Sequence, residues 1–260
     1  HGYVLNQFSM DEYKGLFRIA TSNEQSNNLY VLDESLKVIG KLEGLAPGER
    51  IHSARFMGDR CYLVTFKKVD PLFVIGLENP TTPEVLGFLK IPGYSDYLHP
   101  YDETHLIGVG KETVDMGNFA LFQGVKISLF DVSNVTKPKE VDKTVIGDRG
   151  TDSPVLSDHK AFLFSKSKHL LVLPISLYLS DKGFVWQGAY VYNITIEKGL
   201  VLKGGITHIE NTTSMWESST TSHFVNRALY VDDVLYTISD KKVKMNSLVD
   251  LDEVGLVKLP

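Results

Sequence analysis

The sequence predicts an all-β protein built from a repeated four-stranded unit, and three observations carry this prediction. First, residues 72–93 return in altered form at residues 127–148, with Pro83 and Pro138 in matching positions, and such self-similarity marks a repeat architecture. Second, the apolar segments are short, rich in Val, Ile, Leu, Tyr and Phe, and separated by Gly, Pro, Asn and Asp, as strands and their turns are. Third, no long apolar stripe has the helical period.

The apolar segments sort into five groups of four, and each group reads as one antiparallel sheet. A four-stranded antiparallel sheet repeated about every 50 residues is typical of a β-propeller blade. We therefore expect a single β-propeller domain over residues 1–260, with about five blades in this chain and possible membership of a larger ring. The predicted blades are residues 3–46, 50–92, 95–148, 155–209 and 222–260.

The order of the strands predicts exposed blade faces at the two ends of the chain. Every group starts at its innermost strand and ends at its outermost strand, so no blade is shared between the ends. An uncovered blade face would be a large apolar patch, and such patches mark sites of association. We expect the partner to be another protein or a missing N-terminal half of the propeller.

Composition limits the other partners. The net charge of −5 argues against nucleic acid, because phosphate binding needs a basic surface. The longest apolar run, residues 170–179, is about half of the roughly 20 residues that a membrane helix needs, so we expect no transmembrane segment. A single cysteine, Cys61, excludes an internal disulfide bond.

Three insertions interrupt the repeat, at residues 111–125, 178–187 and 210–222. We expect them to be long loops on the blade rims, where binding residues often lie. Trp186 and Trp216 fall in the second and third insertions. An exposed Trp suits contact with a sugar or a protein, so both are candidate contact residues.

Histidines and carboxylates gather at the predicted entries to the innermost strands, which line the mouth of the channel. The candidates for this site are His52, His99, Asp102, Asp158 and His159. The three histidines could bind a metal ion or exchange protons near neutral pH. They could equally hydrogen-bond the backbone between blades. No catalytic residue is assigned, and a metal ion is the one cofactor considered.

Three Asn-X-Ser/Thr sequences are candidate sites of N-glycosylation if the protein is secreted. They begin at Asn134, Asn193 and Asn211. Asn211 lies in the long polar insertion and is the most accessible of the three by sequence.

Several distinctive strings together resemble a known family: VLNQFSMDEY, LEGLAPGERI, RFMGDRCYLVTFKKVDPLFVI, LKIPGYSDYLHPYDE and DHKAFLF. They are similar to the secreted archaeal and bacterial proteins with a C-terminal β-propeller domain, an uncharacterised family distantly similar to WD40 proteins. One departure is Gly76, where such repeats usually carry Asp, as Asp131 does here. The resemblance implies that this chain corresponds to the C-terminal part of longer proteins, in an archaeal, extracellular setting. It implies no established reaction.

Three hypotheses for function follow from these observations. The first is an extracellular scaffold or protein-interaction module on a cell surface. The second is a metal-binding or hydrolytic enzyme that uses the histidines at the channel mouth. The third is a carbohydrate-binding propeller, which would need Trp186 or Trp216 exposed over a groove.

Overall fold

The computed structural model describes residues 2–66, 70–117, 120–210 and 218–260. Its strands form five four-stranded antiparallel sheets, in each of which the strands follow chain order. Sheet 1 contains β1 (Met10–Tyr13), β2 (Leu16–Ser22), β3 (Asn27–Leu32) and β4 (Val38–Leu45). Sheet 2 contains β5 (Arg50–Met57), β6 (Arg60–Phe66), β7 (Asp70–Gly76) and β8 (Glu84–Ile91). Sheet 3 contains β9 (Tyr94–Asp102), β10 (His105–Asp115), β11 (Ala120–Asp131) and β12 (Lys139–Ile146).

The last two sheets follow the same plan. Sheet 4 contains β13 (Leu163–Ser165), β14 (Leu170–Leu179), β15 (Gly183–Thr195) and β16 (Gly199–Ile206). Sheet 5 contains β17 (Arg227–Val231), β18 (Val234–Ile238), β19 (Lys242–Ser247) and β20 (Glu253–Lys258). The prediction of an all-β fold made of five four-stranded sheets is confirmed. In the described part of the chain, no helix is long and apolar enough to cross a membrane.

The chain divides into two compact units, residues 1–143 and residues 144–260. In the first unit, sheet 2 is covered on both faces because alternate residues of a strand point to opposite sides. Cys61 and Leu63 of β6 pack against sheet 1, whereas Tyr62 and Val64 pack against sheet 3. In the second unit, Leu235 of sheet 5 packs on the core of sheet 4.

The repeated Asn of the sequence builds the turn that joins the third and fourth strands, which we call the last turn of a sheet. In sheet 2, Asn79 Oδ1 accepts hydrogen bonds from the Thr81 backbone N at 3.2 Å and from Thr81 Oγ1 at 2.8 Å. In sheet 3, Asn134 Oδ1 accepts the same pair from Thr136, at 3.2 and 2.9 Å. Because the Asn side chain accepts these hydrogen bonds and so closes the turn, Asn recurs at this position of the repeat.

Each of these last turns packs against a glycine in the fourth strand of the preceding sheet, which we call the last-strand glycine. A Cβ on Gly40 would overlap the carbonyl oxygen of Pro80. A Cβ on Gly87 would lie 2.8 Å from Thr136 Cα and would overlap the carbonyl oxygen of Val135. The glycines are therefore required by the close approach of the neighbouring sheet.

Two of the three insertions are not loops, so that prediction is wrong. Residues 111–115 lengthen β10 and residues 120–125 lengthen β11, so that Thr113 pairs with Phe122 and Val114 with Leu121. Residues 178–187 lengthen β14 and β15 in the same way. The aromatic and β-branched side chains in both stretches favour a strand, and extending the hairpin satisfies the backbone groups. Within the third insertion, residues 211–217 lie outside the described residues.

Candidate functional site

His52, near the start of β5, is placed by the structure beside a carboxylate that sequence reasoning missed. Its Nδ1 lies 3.1 Å from Asp96 Oδ1, on the third residue of β9. The ring also packs on Tyr94, with centroids 4.7 Å apart, and edge-on against Phe66, at 5.7 Å. Because β5 and β9 start at the same end of adjacent sheets, the two strand entries meet there.

Aromatic rings surround this pair and continue onto the long hairpin of sheet 3. The centroids of Phe66 and Tyr94 are 4.8 Å apart, and Phe122 lies 6.0 Å from the first and 5.6 Å from the second. Phe122 is 46% exposed, and on the same hairpin Val114 is 47% and Met116 53% exposed. Because Phe122 pairs with Thr113 and Val114 pairs with Leu121, the side chains of Phe122 and Val114 lie on opposite faces of the hairpin. We call the exposed apolar side chains on this part of the hairpin, Val114, Met116 and Phe122, the hairpin surface.

A signal for this hairpin is present in the sequence, because FALFQGV is rich in apolar and aromatic residues, which favour a strand over a loop. Nothing in the sequence alone places Phe66 and Tyr94 beneath it, since they come from a different sheet and a different strand.

His99 has a structural environment. Its Nδ1 lies 2.9 Å from the hydroxyl of Tyr97, whose ring helps to flank the guanidinium of Arg55. That guanidinium lies 4.0 Å from the ring centroid of Phe8 and 5.5 Å from that of Tyr97, and it donates twice to the backbone oxygen of Leu98, at 2.8 and 2.6 Å. Burial, together with the charge of Arg55, lowers the pKa of His99 to about 4. His99 is therefore neutral near pH 7.

Asp102 lies at the far end of β9 from Asp96 and belongs to the turn into β10. Its Oδ1 accepts hydrogen bonds from the backbone N of Thr104 at 2.9 Å and from Thr104 Oγ1 at 3.1 Å. The same oxygen is 3.0 Å from Nδ1 of His105. Asp102 thus stabilises a hairpin turn, and the structure does not bring it together with His52.

In the second unit, Asp158 and His159 form part of a contact between sheets 4 and 5. Asp158 precedes a 3-10 helix, His159–Ala161, and its Oδ1 accepts the backbone N–H of Lys160 at 2.9 Å. Its other oxygen accepts a hydrogen bond from Arg227 of β17. The backbone hydrogen bond and the guanidinium both lower the pKa of Asp158. This carboxylate caps a short helix and fixes the neighbouring sheet.

The metal hypothesis gains no support from these positions. Over residues 2–66, 70–117, 120–210 and 218–260, no three or more His, Cys, Asp or Glu side chains group closely enough to hold a metal ion. The proposed ligands His52, His99 and His159 remain predictions.

Trp186 lies on the surface of its own sheet and does not project from a loop. Its indole stacks on the ring of Tyr190, with centroids 4.8 Å apart and planes at 16°. Space for the ring comes from Gly188 and Gly205, where a Cβ would lie 2.7 and 2.9 Å from it. The carbohydrate hypothesis is not favoured by this position. Trp216 lies outside the described residues.

The glycosylation candidates differ in their surroundings. Asn134 is exposed, with its side chain engaged in the last turn of sheet 3. Asn193 is exposed within β15. Asn211 lies outside the described residues. All three remain predictions.

A buried histidine that the sequence did not single out joins sheet 4 to sheet 5. Nδ1 of His208 lies 2.9 Å from Ser239 Oγ, and Nε2 lies 2.9 Å from Thr237 Oγ1. Burial, with smaller contributions from nearby Lys242 and Lys244, lowers its pKa to about 4. Both ring nitrogens have hydroxyl partners, which identifies His208 as a structural residue.

Comparison with known proteins agrees with this architecture. The family described as beta propeller domain matches residues 1–251. An uncharacterised protein of Methanocaldococcus jannaschii is 41% identical over 245 residues, covering 92% of this chain and 34% of the relative. An uncharacterised protein of Archaeoglobus fulgidus is 38% identical over 259 residues, covering 99% of this chain and 36% of the relative. The chain thus spans about one third of the length of these relatives.

Solved structures share the fold at low sequence identity. Apo AztD from Citrobacter koseri superposes with a TM-score of 0.55 at 14% identity, over 96% of this chain and 59% of that chain. BamB from Moraxella catarrhalis superposes with a TM-score of 0.51 at 11% identity, over 95% of this chain and 62% of that chain. The family match, the archaeal relatives and the five repeated sheets lead to one conclusion: the chain belongs to the beta propeller domain family.

Proposed function

We propose that this protein is an extracellular scaffold or protein-interaction module at the cell surface, and that it works together with further polypeptide. That polypeptide is a partner protein or the N-terminal part of a longer chain. The β-propeller fold supports interaction of this kind. The single observation that carries the proposal is the hairpin surface, where Phe122 is exposed while its ring packs against Tyr94 and Phe66, and where Val114 and Met116 are exposed on the same hairpin.

The chemistry of the hairpin surface suits a protein partner. Aromatic residues and Met are enriched at the centres of protein interfaces, and Phe122 and Met116 are both about half exposed. The ring of Phe122 already packs against Tyr94 and Phe66. Little side-chain freedom is therefore lost when a partner covers it, which reduces the entropic cost of binding.

The extracellular setting is supported by the resemblance to secreted proteins. Surface biotinylation of intact source cells tests it, since a protein on the outside is labelled before the cells are broken. Labelling that requires lysis would refute the location without affecting the interaction proposal.

The interaction is tested with a photo-crosslinking residue at position 122 in source cells and a matched probe at position 88. Phe88 is a suitable control because it is also exposed, at 54%, and belongs to sheet 2 of the same unit. We expect crosslinks from position 122 to one partner. With that partner purified, Phe122→Ser should weaken binding at least about tenfold, whereas Phe88→Ser should not. Equal affinity of both variants would refute the hairpin surface as the contact.

A further inference from the structure

One face of sheet 5 is apolar, and its side chains are exposed or only partly buried. Leu235 points to the opposite face, into the core shared with sheet 4. On the first face, Leu229 is 42% and Val231 is 53% exposed. The cross-strand register places further apolar side chains beside them. We call this set the open face: Leu229, Val231, Val234, Tyr236, Ile238, Val243, Met245 and Val257.

Sheet 2 shows what a face of this composition looks like when it is covered. Both faces of β6 are apolar, and Cys61, Tyr62, Leu63 and Val64 are at most 2% exposed because a sheet lies on each side. A sheet that is apolar on both faces is typical of burial on both faces. The open face therefore has the composition of a sheet-to-sheet interface.

The last-strand glycines give a second, independent observation. Gly40, Gly87 and Gly204 each pair with the third-strand residue that directly precedes a register shift. Each one contacts the last turn of the following sheet. For Gly40 and Gly87 the contact is with backbone, and for Gly204 a Cβ would lie 2.8 Å from Cδ1 of Leu251. Sheet 3 has Asp142 at this position of the repeat.

Gly255 occupies the same position in sheet 5, but the atoms nearest to it in the described part of the chain belong to its own sheet and not to a last turn. It pairs with Met245, again directly before a register shift. The three nearest heavy atoms to a Cβ on Gly255 all belong to the side chain of Met245, at 2.9 to 3.9 Å. Sheet 5 thus has the glycine that receives a following sheet, while the described residues supply no turn to fill it.

Sheet 1 has the complementary feature, a last turn whose leucine is exposed. Leu36 in this turn has φ of 59°, and Leu251 in the last turn of sheet 5 has φ of 68°. Both leucines lie in closed turns, where the N–H of Leu36 bonds to Asp33 O and that of Leu251 to Ser247 O. Leu251 packs over Gly204, whereas Leu36 is 68% exposed.

We propose that the open face and Gly255 receive a further four-stranded sheet of the same repeat, and that the Leu36 turn packs on the last-strand glycine of another. Both sheets come from polypeptide outside these 260 residues. The lengths of the archaeal relatives allow this, because about two thirds of each relative lies outside the segment matched by this chain. Since one sheet takes about 50 residues, that remainder is long enough for several further sheets. The inference rests on the proposed association with further polypeptide and identifies its surface.

Cysteine labelling tests the inference because the one native cysteine, Cys61, is fully buried and its thiol pKa is raised well above the usual value. Val231→Cys places a reactive thiol on the open face. Val249→Cys is the control, since Val249 is 78% exposed and lies outside that face. Both changes are made in residues 1–260 and in the polypeptide as it occurs in its source cells.

In residues 1–260 we expect both variants to react at similar rates. In the natural polypeptide, Val231→Cys should react at least about tenfold more slowly, while native mass spectrometry shows one copy of the chain in each assembly. Leu229→Cys repeats the test if the first variant folds poorly.

Three results would overturn the inference. The first is equal labelling of the thiol at position 231 in residues 1–260 and in the natural polypeptide, which includes the case that the natural polypeptide consists of residues 1–260 alone. The second is protection of this thiol together with a doubled mass, which would show a second copy of the chain. The third is protection of this thiol by a polypeptide that lacks the repeat. Binding through the hairpin surface is measured separately with Phe122→Ser, so the two proposals can fail independently.

Discussion

Replacement of Gly87 by Ala should destabilise the contact between sheets 2 and 3. The added Cβ would lie 2.8 Å from Thr136 Cα and 2.9 Å from Thr136 C, and it would overlap the oxygen of Val135. These atoms are backbone, so the last turn of sheet 3 must move as a whole. Overpacking of this kind costs about 1–3 kcal/mol. Ala also reduces the conformational entropy of the unfolded chain, which stabilises the folded state by about 0.4–1 kcal/mol. We expect a net loss of about 1–2 kcal/mol from these two effects.

Gly255→Ala is the matched control, because it makes the same change at the same position of another sheet. Its closest contact is the flexible end of Met245, so the unfolding free energy should stay within about 0.5 kcal/mol or rise slightly. Urea unfolding followed by far-UV circular dichroism measures both variants. Hydrogen exchange locates the loss, which should centre on peptides that contain the Thr136 turn. Equal stability of the two variants would refute the close-approach argument.

Two further predictions concern Leu251 in the last turn of sheet 5 and the buried His208. Leu251→Ser should lower the free energy of unfolding by about 1–3 kcal/mol, whereas Leu36→Ser in the exposed turn should change it by less than about 0.5 kcal/mol; equal losses in urea unfolding would contradict the assignment. His208 has a folded pKa of about 4, below the ordinary histidine value of 6.5, so the unfolded state binds the proton first. Stability should therefore be full above about pH 6.5 and fall between there and about pH 4, and His208→Gln should reduce that fall. A pH profile of unfolding with the wild-type slope would refute this role.

The sequence predicted the repeat well because its signals are local. A strand shows its period in a few residues, and Pro83 and Pro138 mark equivalent turns. Residues 111–125 interrupt the repeat and were expected to form a loop, whereas the structure extends β10 to Asp115 and starts β11 at Ala120. The apolar and aromatic residues of this segment were the better guide to its structure.

The candidate site could be predicted only in part. His52 at a strand entry was identified, but its partner Asp96 was not, because the two residues lie on different sheets. Asp102 was grouped with the histidines by sequence proximity, and the structure places it in the turn at the other end of β9. Contacts between sheets depend on how neighbouring blades pack, which no local pattern encodes.

The sequence by itself determined that the chain is all-β, repeated, and organised in groups of four strands. It did so because hydrogen bonding between adjacent strands and the alternation of side chains are properties of short segments. Only the tertiary structure decided which faces are covered. Gly87 and Gly255 are both glycines in a fourth strand, yet one contacts the next sheet and the other does not. The difference arises because the atoms that pack closely against Gly87 belong to another sheet, whose residues are distant from it in the sequence.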